Sequence, residues 1–141
     1  MTADAASEDC IAAPIANADA LSAVTSLLRD YFDGLYFSDT QRLRRVFHTQ
    51  AVYATASDGA PVILRMDEYF SVVERRPAPA ARGDPRTDRI LAIDFVGPAT
   101  AWIKVQCVIR PKHFTDLLTL IHVDGRWQII AKVFHFDVMT S

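Results

Sequence analysis

The chain has 141 residues, half of them hydrophobic, and a formal net charge of −2. That length is enough for one domain with a sizeable core. The slightly acidic balance excludes the basic stripe of a nucleic-acid protein and the polybasic patch that docks on an anionic membrane. The only cysteines, Cys10 and Cys107, are too few for a disulfide framework or a zinc site. No metal and no cofactor is therefore expected.

Residues 1–17 are Ala-rich and patternless. They read as a disordered or loosely packed tail, which leaves 18–141 as a single domain. Asp4, Glu8 and Asp9 interrupt any apolar stretch, and no basic region precedes them, so no signal peptide is read here. No run approaches the roughly 18 apolar residues of a membrane span. A cytoplasmic location is the resulting expectation.

From Asp19 the pattern becomes helical. Leu21, Val24, Leu28, Tyr31, Phe32 and Leu35 recur at three- and four-residue steps, which predicts an amphipathic helix over about 18–36. Ser38 with Gln41 three residues later reads as a capping box for a short second helix through Phe47. Residues 51–56 and 61–65 read as strands around the turn Ser57-Asp58-Gly59-Ala60. Asp67 is placed as the cap of a third helix carrying Tyr69, Phe70, Val72 and Val73. Residues 77–87 hold three prolines and a glycine and are read as a loop, either a passive connection or a lid.

The C-terminal half is all strand. Residues 89–96, 100–110, 114–123 and 126–136 alternate, with turns at Gly97-Pro98 and Asp124-Gly125. In the second of these, Ala101, Ile103, Val105, Cys107 and Ile109 share one face. In the last two, strict alternation groups Leu117, Ile121, Trp127, Ile129 and Val133 on one side, and Leu118, Leu120, Ile130, Phe134 and Phe136 on the other. Helices followed by an antiparallel meander make an α+β order. Because both faces are apolar, one is assigned to the helices and the other to a second copy of the chain, so a homodimer is expected.

Three stretches carry a resemblance: Tyr31-Phe32-Asp33-Gly34-Leu35-Tyr36, Val46-Phe47-His48, and the hairpin from Phe114-Thr115-Asp116-Leu117 to Lys132-Val133-Phe134-His135. Over roughly 18–137 the chain resembles the NTF2-like superfamily, and within it the uncharacterised bacterial group called "putative lumazine-binding". Gln50 stands where relatives often carry an aspartate. The resemblance implies a cone: N-terminal helices packed on a curved antiparallel β-sheet, with a pocket between them. Relatives on this fold include isomerases, dehydratases, cyclases and plain binding proteins, so fold alone does not name the chemistry.

The residues offer three readings. The first is binding of a small, largely apolar molecule, with Asp116 and Lys132 as polar handles in a pocket lined by Tyr31, Tyr36, His48, Tyr53, Tyr69, Phe114 and Phe134. The second is an isomerase, dehydratase or cyclase of the ketosteroid-isomerase or polyketide-cyclase type. Its candidate catalytic residues are Asp116 or His48 as base and tyrosines such as Tyr53 as donors, with Asp94 a weaker candidate base. The third is a non-catalytic dimeric scaffold. Register decides whether Asp116 meets Lys132. A two-residue turn puts Asp116 opposite Val133. A three-residue turn with a glycine bulge puts it opposite Lys132, and is preferred because it pairs opposite charges. The pair is then either a functional pair on a pocket floor or a buried ion pair that fixes register.

Overall fold

The structure, a computed structural model, describes the backbone of residues 2–140 and side chains from Ala18 to Thr140. The tail expected over 1–17 lies outside the described side chains. Helix α1 (Thr2–Phe37) is followed by α2 (Thr40–Val46), β1 (Phe47–Thr55), β2 (Val62–Arg65), α3 (Met66–Arg75) and the strands β3 (Arg89–Val96), β4 (Thr100–Ile109), β5 (Lys112–Val123) and β6 (Arg126–Val138). The six strands form one sheet in the order β2-β1-β6-β5-β4-β3. The three helices pack on its inner face.

The sheet is mixed, not purely antiparallel as expected, because β1 lies parallel to β6. Side-chain alternation reports which face a residue takes but carries no strand direction. Two helix starts also differ from the sequence reading. Asp39, not Ser38, caps α2 by accepting from the Arg42 N–H at 3.1 Å. Asp67 lies inside the first turn of α3, and the Arg65 N–H donates to Glu68 Oε1.

The β5–β6 hairpin decides where the interior charges go. Its turn has two residues, Asp124 (φ 54°) and Gly125 (φ 77°), and Val123 pairs with Arg126. Two consecutive positive φ angles make the mirror-image turn that matches strand twist. The preferred three-residue turn is therefore not formed. A bulge instead shifts the register between Thr119 and Leu120: Leu120 pairs with Ile129, but Thr119 pairs with Ala131. Ile130 is the extra residue, and it reverses the facing of everything after it. Trp127 and Ile129, grouped by strict alternation with Leu117 and Val133, instead point inward with Leu120, and so do Lys132, Phe134 and Phe136. Lys132 pairs with Leu118, and Asp116 pairs one step along with Phe134.

The core lies between this face and the helices. Val24, Leu28, Tyr31 and Leu35 of α1 meet Phe47 of β1 and Tyr69 and Val73 of α3, all buried. Gly34 lets α2 approach, because a Cβ there would stand 2.5 Å from Leu43 Cδ2. The outer face keeps Val52, Trp102, Leu117 and Val133 exposed.

Candidate functional site

Asp116 is 0% exposed and Lys132 is 5% exposed, in mid-strand positions otherwise occupied by hydrophobes. Tyr31, reaching down from α1, donates its hydroxyl proton to Asp116 Oδ2 at 2.6 Å. Lys132 Nζ lies 3.7 Å from the same oxygen, too far for a direct hydrogen bond, and donates instead to the Tyr69 hydroxyl at 3.2 Å. The rings of Tyr31, Tyr69 and Phe134 stand 5.0 to 5.5 Å from that ammonium, within cation–π range. Asp116 Oδ1 is buried with no partner among the described residues. Few buried polar atoms in a folded protein are left so.

The electrostatics follow from burial and the pair. Burial alone pushes the Lys132 ammonium down, but Asp116 leads the groups that outweigh it, and Lys132 stays well above its ordinary range. Burial, then Asp116, raises the Tyr31 hydroxyl well above the usual phenol value. Burial also raises Tyr53, against a partial pull back from Lys132. Both phenols are therefore neutral donors at physiological pH. The Cys107 thiol is pushed up to about 12, first by burial and then by Asp116.

The hollow expected between helices and sheet is largely filled by side chains. Tyr53 stacks on Tyr69 with ring centroids 4.7 Å apart and meets Phe134 edge-on at 4.8 Å. The free space left among Tyr53, Tyr69, Arg76, Phe114, Lys132 and Phe134 is about 10 Å³, room for one water at most. Tyr31, Tyr53, Tyr69, Phe114, Asp116, Lys132 and Phe134 thus fall in one cluster. Tyr36 does not join it: its hydroxyl donates to the Asp84 carbonyl, and its ring lies under the Arg86 guanidinium. His48 does not join it either. It is the second residue of β1, accepts the Gln50 N–H at Nδ1, and lines a cleft of about 390 Å³ with Arg44, Arg65 and Phe70. Asp94 faces outward, opposite Trp102.

Sequence reasoning missed Arg76 as part of the cluster. It closes α3, borders the same residual space as Lys132, and its Nε is buried without a partner among the described residues. Its place just before the proline-rich loop was the available signal. That loop is tied to α1: the Ala80 N–H donates to the Tyr36 carbonyl, and Arg86 bridges Asp33 and Asp88.

Two other features carry less. A wider groove of about 640 Å³ opens at the opposite end, between α1, the end of α2 and the β5–β6 turn, with Leu27 and Trp127 in its walls. On the outer surface, Ser57 Oγ lies 2.9 Å from His135 Nδ1, and His135 Nε2 lies 3.0 Å from Asp137 Oδ1. His135 and Asp137 are well exposed, and Ser57 Oγ already accepts the Phe136 N–H. Among the described residues, no group of three His, Cys, Asp or Glu could hold a metal ion, and no helix is long and apolar enough to cross a membrane.

The family model described as "Putative lumazine-binding" matches residues 19–135. The chain belongs to this family. Every member of the buried cluster lies inside the matched span. Among solved structures, an NTF-2 like protein of unknown function from Silicibacter pomeroyi superposes with a TM-score of 0.77 at 22% identity, covering 86% of this chain and 98% of that one. A "putative scytalone dehydratase" from Novosphingobium aromaticivorans gives 0.68 at 17% identity, covering 90% of each chain. At these identities the likeness establishes the NTF2-like α+β cone and nothing about chemistry. A curated relative, "Aldolase FrzH" of Cladobotryum sp, is 40% identical over 40 residues, 27% of this chain and 32% of that protein. The chain spans about a third of that relative's length.

Proposed function

We propose that the protein binds a small, largely apolar ligand at the buried cluster, with Asp116, Lys132 and the flanking tyrosines as its polar contacts. One observation carries this reading. A carboxylate and an ammonium sit together in an apolar core, yet among the described residues Asp116 Oδ1 has no partner and Lys132 makes a single side-chain hydrogen bond. A pair kept only for stability would be cheaper to replace by hydrophobes. Spare buried hydrogen-bonding capacity is what a polar group of a ligand would use. The narrow residual space means the ligand enters by displacing Tyr53, whose ring is the least buried of the cluster's tyrosines.

A thermal-shift screen of flavin-like, steroid-like and polyketide-like compounds tests this against the double variant Asp116→Leu, Lys132→Met. Binders should raise the melting temperature of the wild type and leave the double variant unmoved. Equal shifts in both would sink the reading.

Catalysis is the second reading, favoured by the 2.6 Å contact between Tyr31 and Asp116. It brings a phenol and a carboxylate side by side, the two kinds of group that isomerase or dehydratase chemistry needs as donor and base. It ranks second because Asp116 Oδ2 is already shared between Tyr31 and Lys132, and among the described residues no second carboxylate or imidazole lines the residual space. For the assembly, the outer-face patch of Val52, Trp102, Leu117 and Val133 suits a homodimer. Light scattering at micromolar concentration should report twice the chain mass, and a monomer there would remove that reading. A cytoplasmic location is part of the same proposal.

A further inference from the structure

The residual space in the cluster has an unbalanced lining. Arg76 and Lys132 both border it, and no Asp or Glu does. Asp116 lies behind Lys132, with its Oδ2 already shared between Tyr31 and the ammonium. Arg76 has no carboxylate within 4.0 Å among the described residues, and its Nε is buried without any partner. Two cations therefore face one small space that no carboxylate borders among the described residues. An apolar ligand would leave the Arg76 Nε–H unsatisfied, at the cost of a buried orphan donor, and a neutral oxygen would meet it with the weaker, uncharged kind of bond. A cationic ligand would be repelled. An anionic oxygen group would satisfy that donor and take up the free hydrogen-bonding capacity of Lys132 as charge-assisted bonds.

Shape narrows the class. Tyr53 and Tyr69 lie 4.7 Å apart at an interplanar angle of 29°, an offset stack. Tyr53 sits on β1 directly beside Lys132. With about 10 Å³ free, a ligand gains room by exchanging its own ring for that of Tyr53, which keeps the stack on Tyr69. The space vacated is that of one ring.

Resting on the ligand-binding reading above, we propose that the occupant is a planar, single-ring organic anion. Its acidic group is held between the Arg76 guanidinium and the Lys132 ammonium, and its ring replaces that of Tyr53 against Tyr69.

The test is a titration of the full chain with three single-ring probes of similar size, benzoate, benzamide and benzylammonium, read by calorimetry and mapped by amide chemical shifts. Benzoate should bind about ten-fold or more tighter than benzamide, the scale of a charged hydrogen bond against a neutral one, and benzylammonium should not bind. Arg76→Gln should abolish the preference for benzoate, and Arg76→Lys, which keeps the charge, should retain most of it. Tyr53→Ala should tighten benzoate binding, because no ring has to move. Melting curves of all three variants report that each is folded. Equal affinity for benzoate and benzamide at the cluster would overturn the anionic class while leaving the binding reading intact. A preference that survives in Arg76→Gln would remove Arg76 from the site and overturn the proposal as stated. Absence of shifts at Tyr53, Tyr69 and Lys132 with every probe would overturn both readings.

Discussion

Asp116→Asn keeps the side chain's size and removes the carboxylate 3.7 Å from the Lys132 ammonium. Lys132 remains 5% exposed, with its bond to Tyr69 as the surviving contact. Removing one partner of a buried ion pair costs about 3–5 kcal/mol. The lower end, about 3 kcal/mol, applies here because the pair is not directly hydrogen-bonded and Tyr69 still solvates the ammonium. The pH dependence separates this cause from a packing defect. In the wild type Lys132 is held above its ordinary pKa. Its contribution is therefore fully present below the unfolded value of about 10.4, and is lost only as pH rises through the still higher folded value. Wild-type stability is flat in this group from about pH 6 to 9. In the variant burial acts without the carboxylate, so the folded value falls below the unfolded one. The unfolded state then binds the extra proton, and stability climbs with pH by up to about 1.4 kcal/mol per unit between the two values. Urea denaturation followed by the fluorescence of buried Trp127 at a series of pH values measures both quantities. A loss below about 1 kcal/mol, or a variant whose stability follows the wild-type pH curve, would refute the reasoning.

Four further outcomes are expected. The double variant Asp116→Leu, Lys132→Met should recover most of the stability lost in Asp116→Asn, coming within about 2 kcal/mol of wild type, since hydrophobes often replace a buried ion pair at little cost; urea midpoints measure it. Gly34→Ala should destabilise by about 1 kcal/mol, because overpacking against the fully buried Leu43 at 2.5 Å exceeds the gain in helix propensity; a rise in melting temperature would contradict it. Arg86→Ala should leave global stability within about 1 kcal/mol, as surface pairs do, but speed hydrogen exchange at the Ala80 amide, because the loop loses its tie to Asp33. Cys107, with its thiol pushed up to about 12, should resist iodoacetamide at about pH 8 in the native protein and react on unfolding, as peptide mapping by mass spectrometry would show.

The fold was legible where periodicity was strong. The stripe through Val24, Leu28, Tyr31 and Leu35 and the alternation from Ala101 to Ile109 both face the core as read. The faces of β6 were not legible, because one bulge at Ile130 reverses them and nothing local in the sequence marks it. Two offsetting differences, a shorter turn than preferred and an unforeseen bulge, still brought Asp116 and Lys132 to the same face. The parallel pairing of β1 with β6 was hidden because strand direction leaves no trace in alternation. At the site, charged residues among hydrophobes flagged Asp116 and Lys132. Arg76 was legible only as one of several arginines around the proline-rich loop and not as a member of the cluster, because a helix-ending arginine usually points to solvent and only tertiary packing buries its Nε.

The claim that organises this account is that the ionic cluster under the helices receives a ligand. An amide and lysine-ammonium NMR titration of the full chain with benzoate addresses it without any variant. The account predicts saturable shifts concentrated at Tyr53, Tyr69, Arg76 and Lys132, with the Lys132 signal perturbed most. Shifts scattered over the surface, or confined to the groove beside Trp127, would contradict it.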